Sequence, residues 1–232
     1  GNVFVGMIVA NTATGERWTF GATNEWTAPA VALTGGENTI WIMGTNLYGF
    51  AASNAVTLTR VGPSGVTNYV ATNGAHIWPY TNWITAATTL QAAVDAAYDG
   101  NTVLANDGTY RATSSVMILR GITLRSVNGR GATWTEGSYD QPGIYVAHTG
   151  AVVMGLTITS ASGGVYLARG TLADCTVQGN SANHGAGVFC GYQSLVTNCL
   201  ITGNYWGGWA WGVGVYSTYG SRVVRSTICS NN

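Results

Sequence analysis

Any acid–base or metal chemistry in this chain would have to be built from nine carboxylates, three histidines and four cysteines. Hydrolysis of a glycosidic bond needs two carboxyl groups roughly 5 to 9.5 Å apart, and a calcium-assisted elimination needs several oxygen ligands beside a base. Glu136 and Asp140 share one loop, where an acidic pair is far more often solvated than catalytic. His76, His148 and His184 are dispersed, with no x-x-x-H partner spacing, so surface loops outweigh metal ligation for each of them. The cysteines show none of the CxxC pairing that zinc sites and redox motifs use. Ser, Thr and Asn are too common for a nucleophilic triad to be singled out. No catalytic residue, metal site or cofactor is assigned, and the sequence leans away from an enzyme.

Aromatic side chains offer a different chemistry, that of contact. Trp206, Trp209 and Trp211 crowd one loop, Asn204 to Gly214, and Tyr145, Tyr166, Phe189 and Tyr216 recur at one place in a repeat. Flat aromatic rings supply large contact areas at low entropic cost. They could cover neighbouring loops, stack on sugars or meet another protein, and residue type does not separate these.

The element that must position them is a repeat. Gly143-Ile144-Tyr145-Val146, Gly164-Val165-Tyr166-Leu167, Gly187-Val188-Phe189-Cys190 and Gly214-Val215-Tyr216-Ser217 return at intervals of 21, 23 and 27 residues. A second apolar triplet follows each: Val153, Leu156 and Ile158; Leu172, Cys175 and Val177; Val196, Cys199 and Ile201; Val223, Ser226 and Ile228. Offsets of 0, 3 and 5 place a bend after the first member and alternation after it. Val103-Leu104 and Ile122-Thr123-Leu124 fit as earlier, less regular turns. Units this short cannot bury an apolar face alone, whereas stacked coils share one core. The spacing therefore predicts a parallel β-helix.

Parity then sorts inside from outside. Ile144, Val146 and their equivalents point inward, leaving Tyr145, Tyr166, Phe189 and Tyr216 outward. On the second strand the outward places hold Thr157, Thr176, Leu200 and Thr227, then Thr159, Gln178, Thr202 and Cys229. No carboxylate stands in these rows; Asp174 has Gly155, Asn198 and Arg225 as counterparts. Cys175 and Cys199 share an inward place about 4.8 Å apart by strand spacing, which permits a disulfide, although a stack of buried thiols is favoured. Asn180, Asn204 and Asn231 repeat at a bend, a structural ladder of side-chain amides.

Upstream, residues 1–61 read as short strands at Val3–Val9, Trp18–Phe20, Trp26–Leu33, Thr39–Met43 and Ala55–Arg60. Residues 62–84 are a linker and lead-in segment opening on Val61-Gly62-Pro63-Ser64-Gly65. Residues 85–232 hold a capping helix over Thr85 to Tyr98, with Thr85 as N-cap, and the β-helix. Only 8% of the 232 residues are charged, all nine basic residues are arginines, and the net charge is zero. A chain without a field draws in neither a phosphate backbone nor an anionic membrane, so no nucleic-acid partner is expected. No apolar run approaches the roughly 20 residues of a membrane span. The start at Gly1, without Met or a signal-peptide charge pattern, reads as a mature or excised piece.

The segments Thr88-Thr89-Leu90-Gln91-Ala92-Ala93-Val94-Asp95-Ala96-Ala97, Gly100 to Leu104 with Asp107-Gly108-Thr109-Tyr110, and Gly121 to Ser126 resemble the opening of pectate-lyase-like right-handed β-helix proteins. The coils around Cys175-Thr176-Val177-Gln178-Gly179-Asn180 and Asn198-Cys199-Leu200-Ile201-Thr202-Gly203-Asn204 resemble repeats of bacterial surface proteins, including polymorphic outer-membrane adhesins. Gly36 to Ile40, Gly44 to Gly49 and Val56 to Thr59 resemble the last strands of bacterial immunoglobulin-like domains, implying an incomplete β-sandwich. Such relatives include lyases, hydrolases, adhesins and fibres, so the resemblance implies a fold and no single activity. The expectation is a non-catalytic extracellular or cell-surface structural or adhesive protein. Its partner would be itself, in a head-to-tail homopolymer suggested by a chain that stops inside a coil, or a surface glycan or protein. The competing expectation is a polysaccharide-binding or polysaccharide-degrading β-helix with Trp206, Trp209 and Trp211 in its groove.

Overall fold

The computed structural model describes residues 4–21, 27–28, 30–31, 33, 36–60, 65–138, 140–206 and 211–232. The chain divides into two compact units, Gly1–Gly62 and Pro63–Asn232. In the first, four antiparallel strands form one sheet in the order Arg17–Gly21, Phe4–Asn11, Gly36–Asn46, Ala51–Arg60. Met7, Val9 and Ile40 share one side of that sheet and are buried. The Asn46 side chain accepts from the amides of Tyr48 and Phe50 at 2.9 and 3.0 Å, closing the turn between its last two strands. Of the expected strand Trp26–Leu33, the described residues Thr27, Ala28, Ala30, Val31 and Leu33 are not in a strand, while Trp26, Pro29 and Ala32, and residues 61–64 of the expected linker, lie outside the described residues.

The second unit is a parallel β-solenoid of about 5 turns. Each regular coil contributes three short strands to three faces. One face stacks Val116–Ile118, the first halves of Ile144–Met154 and Val165–Ala173, Val188–Cys190 and Val215–Ser217. The second runs from Thr67–Val70 through Thr102–Ala105 and Thr123–Ser126 to the later halves of those two long strands, then Leu195–Thr197 and Arg222–Val224. The third stacks Gly108–Arg111, Thr133–Glu136, Thr157–Thr159, Thr176–Gln178, Leu200–Thr202 and Thr227–Cys229. The core is made of in-register files. Leu124, Val153, Leu172 and Val196 form one, Ile158, Val177 and Ile201 another, all fully buried.

Two bends per coil explain residues that the apolar pattern leaves over. Gly155, Asp174, Asn198 and Arg225 share a left-handed conformation, with φ of 72°, 53°, 52° and 52°. Glycine takes it without strain and Asn or Asp with little. Asp174 is therefore a corner residue, and its carboxylate accepts from the Asn198 amide. Ser160, Gly179, Gly203 and Ser230 repeat the conformation at the next corner.

The helix is shorter than expected. It spans Leu90–Ala96, and Thr89, not Thr85, is the N-cap, accepting from the Ala92 amide at 3.3 Å. Residues 83–85 form a turn instead, and Ala87 makes a parallel bridge to Val70. The carbonyls of Ile84, Thr85 and Ala86 accept from Ala75, Ile77 and His76, and Ala87 exchanges bonds with Ala71 and Tyr69. Those pairings outweigh the helix propensity of an Ala-Thr stretch. Leu90, Ala93 and Val94 are buried where the helix packs on Thr67–Val70 and Val116–Ile118.

Cys175, Cys190 and Cys199 are buried thiols, unbonded, and Cys229 is exposed. Burial, the largest effect, pushes the first three thiols up from the ordinary value of 9.0. A folded pKa above the unfolded one contributes stability that is complete below pH 9 and lost as pH rises, because only the unfolded chain ionises. Tyr110, pushed up to about 12 by burial and then by Asp107, adds to this above pH 10. Solenoid stability in reducing buffer should therefore be flat from neutral pH to about 9. Above that it should fall, by about 1.4 kcal/mol per unit from Cys175, the most deeply buried thiol, with Cys190 and Cys199 acting in the same direction. Urea midpoints across that range check this; a midpoint constant to pH 10.5 would refute it.

A candidate contact surface on the aromatic face

Tyr145, Tyr166, Phe189 and Tyr216 stand in strict register on the outward side of the first face, and Met117 continues the row one coil earlier. Met117 was missed in the sequence because Val116-Met117-Ile118 lacks the leading glycine of the other coils. The rings stack on one another, with centroids 5.3, 4.4 and 5.5 Å apart and interplanar angles of 19°, 6° and 27°. At these spacings the ring faces lie against neighbouring rings, so the row shows mainly ring edges to solvent. Of the contacts open to these rings, sugar stacking is the one this arrangement disfavours, because the faces a sugar would stack on lie against neighbouring rings.

The loop with the tryptophans is laid over its predecessor. Trp211 donates to Asn183 and accepts from Gly185 at 3.1 and 3.3 Å, and Trp206 donates to Asn232 at 2.8 Å. Trp206 is 38% and Trp211 68% exposed; Trp209 lies outside the described residues. His184 links loop and ladder, because its backbone pairs with Trp211 and its ring meets Tyr216 edge-on at 5.5 Å. The other histidines have local partners. His76 bonds Thr88 at 2.8 Å and Tyr80 at 3.4 Å, and His148 accepts from the Gly150 amide at 3.0 Å.

Glu136 is not in a loop with Asp140. It ends the strand Thr133–Glu136 and forms an ion pair with Arg111 at 2.8 Å on the neighbouring coil. The structure thus gives it a cross-strand partner, while Asp140 follows in an exposed turn. Thr157 and Thr176, expected on an open outward row, are 2% and 8% exposed. Thr157 donates to the Arg130 carbonyl at 2.6 Å, and the Arg130 guanidinium reaches the carbonyls of Cys175 and Asn198 at 3.3 and 3.2 Å. One arginine thereby straps its loop across successive coils. Among the described residues no three His, Cys, Asp or Glu side chains gather to hold a metal ion, and no helix is long and apolar enough to cross a membrane.

Comparison with known proteins finds no matching family model, no matching curated protein and no matching solved structure.

Proposed function

We propose that this chain is a non-catalytic, extracellular structural or adhesive protein of the pectate-lyase-like right-handed β-helix type used in bacterial surface repeats, with an immunoglobulin-like unit before it. The observation that carries this is the aromatic ladder. Enzymes of this fold type place acids on the outward side of successive coils, and here that side holds rings stacked on each other. Its role is coil-to-coil cohesion and lateral contact through ring edges.

The assembly we propose is head to tail. Its support is charge of one sign in the last coils: Arg222 and Arg225 are the only charged residues after Asp174, whereas in the first coils Asp95, Asp99 and Asp107 stand among Arg111, Arg120, Arg125 and Arg130. Arginines at one end that meet aspartates of another copy steer and register the pair, and heterologous head-to-tail contacts give open filaments. Light scattering and electron microscopy of the whole chain should show self-association that weakens with salt and is lost in an Arg222→Glu/Arg225→Glu double variant. A clean monomer at high concentration and low salt would end the filament proposal, and depolymerisation of any polyuronide or sulfated glycan would end the non-enzymatic one.

A second reading is favoured by the exposure of Trp211. An aromatic ring left largely in solvent on a braced loop suits a surface glycan or protein. A glycan-array signal that disappears in Trp211→Ala would support it; an unchanged signal would exclude that residue.

A further inference from the structure

The antiparallel sheet of the first unit ends on an unguarded strand. Ala51–Arg60 is 10 residues long, pairs with Gly36–Asn46 on one side, and meets no strand on its other side among the described residues. From Ala51 to Thr59 it holds no charge, no proline and no glycine, and all of those residues are exposed. The phase of the bonding shows which groups face outward. Asn46 donates to the Phe50 carbonyl at 3.0 Å, and in an antiparallel pair such bonded positions alternate with non-bonded ones. Ala52, Asn54, Val56 and Leu58 therefore bond to Gly36–Asn46, while Ser53, Ala55, Thr57 and Thr59 turn their N–H and C=O groups to the open edge. The Ala55 amide fits this phase, since it donates to the Asn54 side chain at 2.8 Å and not into the sheet.

Elsewhere the chain covers its strand edges. The outer edge of Val116–Ile118 meets the Gln91 side-chain amide, whose Oε1 accepts from Met117 N–H at 2.7 Å and whose Nε2 donates to the Met117 carbonyl at 3.4 Å. Thr67–Val70 is closed off as well: the Tyr69 amide donates to the Tyr80 carbonyl at 2.7 Å, and the Tyr69 carbonyl accepts from Ala87 at 2.9 Å. Cover, shortness and charge are the means by which soluble proteins keep such edges from pairing. The other edge of the same sheet, Arg17–Gly21, has 5 residues and begins with an arginine. Ala51–Arg60 has none of these guards.

We infer that Ala51–Arg60 is a self-association surface, on which a second copy of this chain adds the same strand, antiparallel, across a two-fold axis at Val56. A free strand edge selects an extended backbone as its occupant, and this edge is complementary to itself. With the axis at Val56, Ser53 opposes Thr59 of the other copy and Ala55 opposes its Thr57, and the reverse holds on the far side of the axis. Every outward N–H and C=O from Ser53 to Thr59 is then paired. Side chains support the same register. Val56 and Leu58 are each 43% exposed, and they lie on the side of the sheet that buries Met7, Val9 and Ile40. Pairing sets Val56 against Val56 and carries that apolar side on into the second copy. Charge does not oppose it, because the strand is uncharged to Thr59 and the chain has zero net charge. This isologous contact is separate from the head-to-tail one proposed above, and either can fail with the other intact.

The test uses the whole chain. Sedimentation velocity over rising concentration should show a monomer–dimer equilibrium that added salt barely changes, and the Arg222→Glu/Arg225→Glu variant should lose filaments and keep this dimer. Val56→Lys sets like charges against each other on the axis and should weaken the dimer about tenfold or more. Thr57→Pro removes an N–H that bonds nothing within the sheet, so it should abolish the dimer while the far-UV circular dichroism stays that of wild type. Position is read by cysteine crosslinking in a Cys229→Ser background, since Cys229 is exposed and the other three thiols are buried. Across the axis the two Val56 Cα atoms stand about 4.5 Å apart in a non-bonded pair, within reach of a disulfide. Ser53 opposes Thr59, which leaves the two Ser53 positions about 20 Å apart. Val56→Cys should therefore give a disulfide-linked dimer under air oxidation, and Ser53→Cys should not. The inference is overturned if wild type stays monomeric at every concentration, if Val56→Lys dimerises like wild type, if both cysteine variants crosslink equally, or if the dimer is lost in the arginine double variant.

Discussion

Replacing Gly187 with alanine is expected to destabilise the solenoid by at least about 3 kcal/mol, lowering its thermal midpoint by about 9 °C. A Cβ at Gly187 would overlap the carbonyl oxygen of Gly214 on the next coil and fall 2.7 Å from Ile201 Cγ2 and 2.9 Å from Asn204 Nδ2. None of these can step aside cheaply. The Gly214 carbonyl accepts the Val188 amide at 3.0 Å, so it is held in the ladder. Ile201 is in the core and Asn204 is fully buried. The control is Gly131, where a Cβ meets nothing within 4 Å, and Gly131→Ala should change stability by less than about 0.5 kcal/mol. Thermal and urea unfolding of the two variants, followed on the solenoid transition, decides the matter. Equal stabilities would mean that the coils can spread locally to admit a methyl group.

The same crowding recurs at Gly164, whose Cβ would lie 2.7 Å from Asn180 Nδ2, and at Gly214, 2.9 Å from Asn231 Nδ2. Two signals that look independent in the sequence, a glycine before each outward aromatic and an asparagine at each later bend, are thus one packing device. Each turn starts at a glycine and comes round to press its asparagine amide against it. In the coil that starts at Gly143 the ladder position holds Ala161.

Much of this was legible because a solenoid repeats its environment, so that each inward or outward place is sampled several times. The register of Tyr145, Tyr166, Phe189 and Tyr216, the inward file of Cys175 and Cys199 and the Asn180, Asn204, Asn231 ladder all follow from offsets alone. What escaped was whatever occurs once. The backbone pairing of residues 84–87 depends on partners at 69–77 that no helix pattern contains. The Arg130 strap joins residues 45 and 68 positions apart. The pairing of Glu136 with Arg111 needed a strand in an irregular early coil, where no repeat set the frame. Ring orientation was also beyond parity, which says that Tyr166 points outward but not that its face is covered by Phe189.

The second large effect is expected at Asn204. Its Oδ1 accepts from the backbone and side-chain amides of Asn180 at 3.1 and 3.0 Å. Its Nδ2 donates to the carbonyls of Val177 and Thr202 and to Asn231 Oδ1 at 3.0, 3.2 and 2.9 Å. Asn204→Ala strands buried donors and acceptors on two neighbouring turns, each worth about 1–3 kcal/mol when unsatisfied, so a loss of about 4 kcal/mol is expected. Asn204→Asp should be at least as damaging despite being nearly isosteric. It keeps the acceptor toward Asn180 but turns a donor into a carboxylate oxygen facing Val177 O, Thr202 O and Asn231 Oδ1. A buried acceptor among acceptors gains no partner and loses its hydration. Asn231→Ala, at a part-buried rung, should cost only about 1–2 kcal/mol. Unfolding measurements at neutral pH should return Asn204→Asp as at least as costly as Asn204→Ala, and both as well above Asn231→Ala. An Asn204→Asp variant as stable as wild type would mean that the amide's donors contribute nothing, and that the glycine contacts alone hold the turns in register.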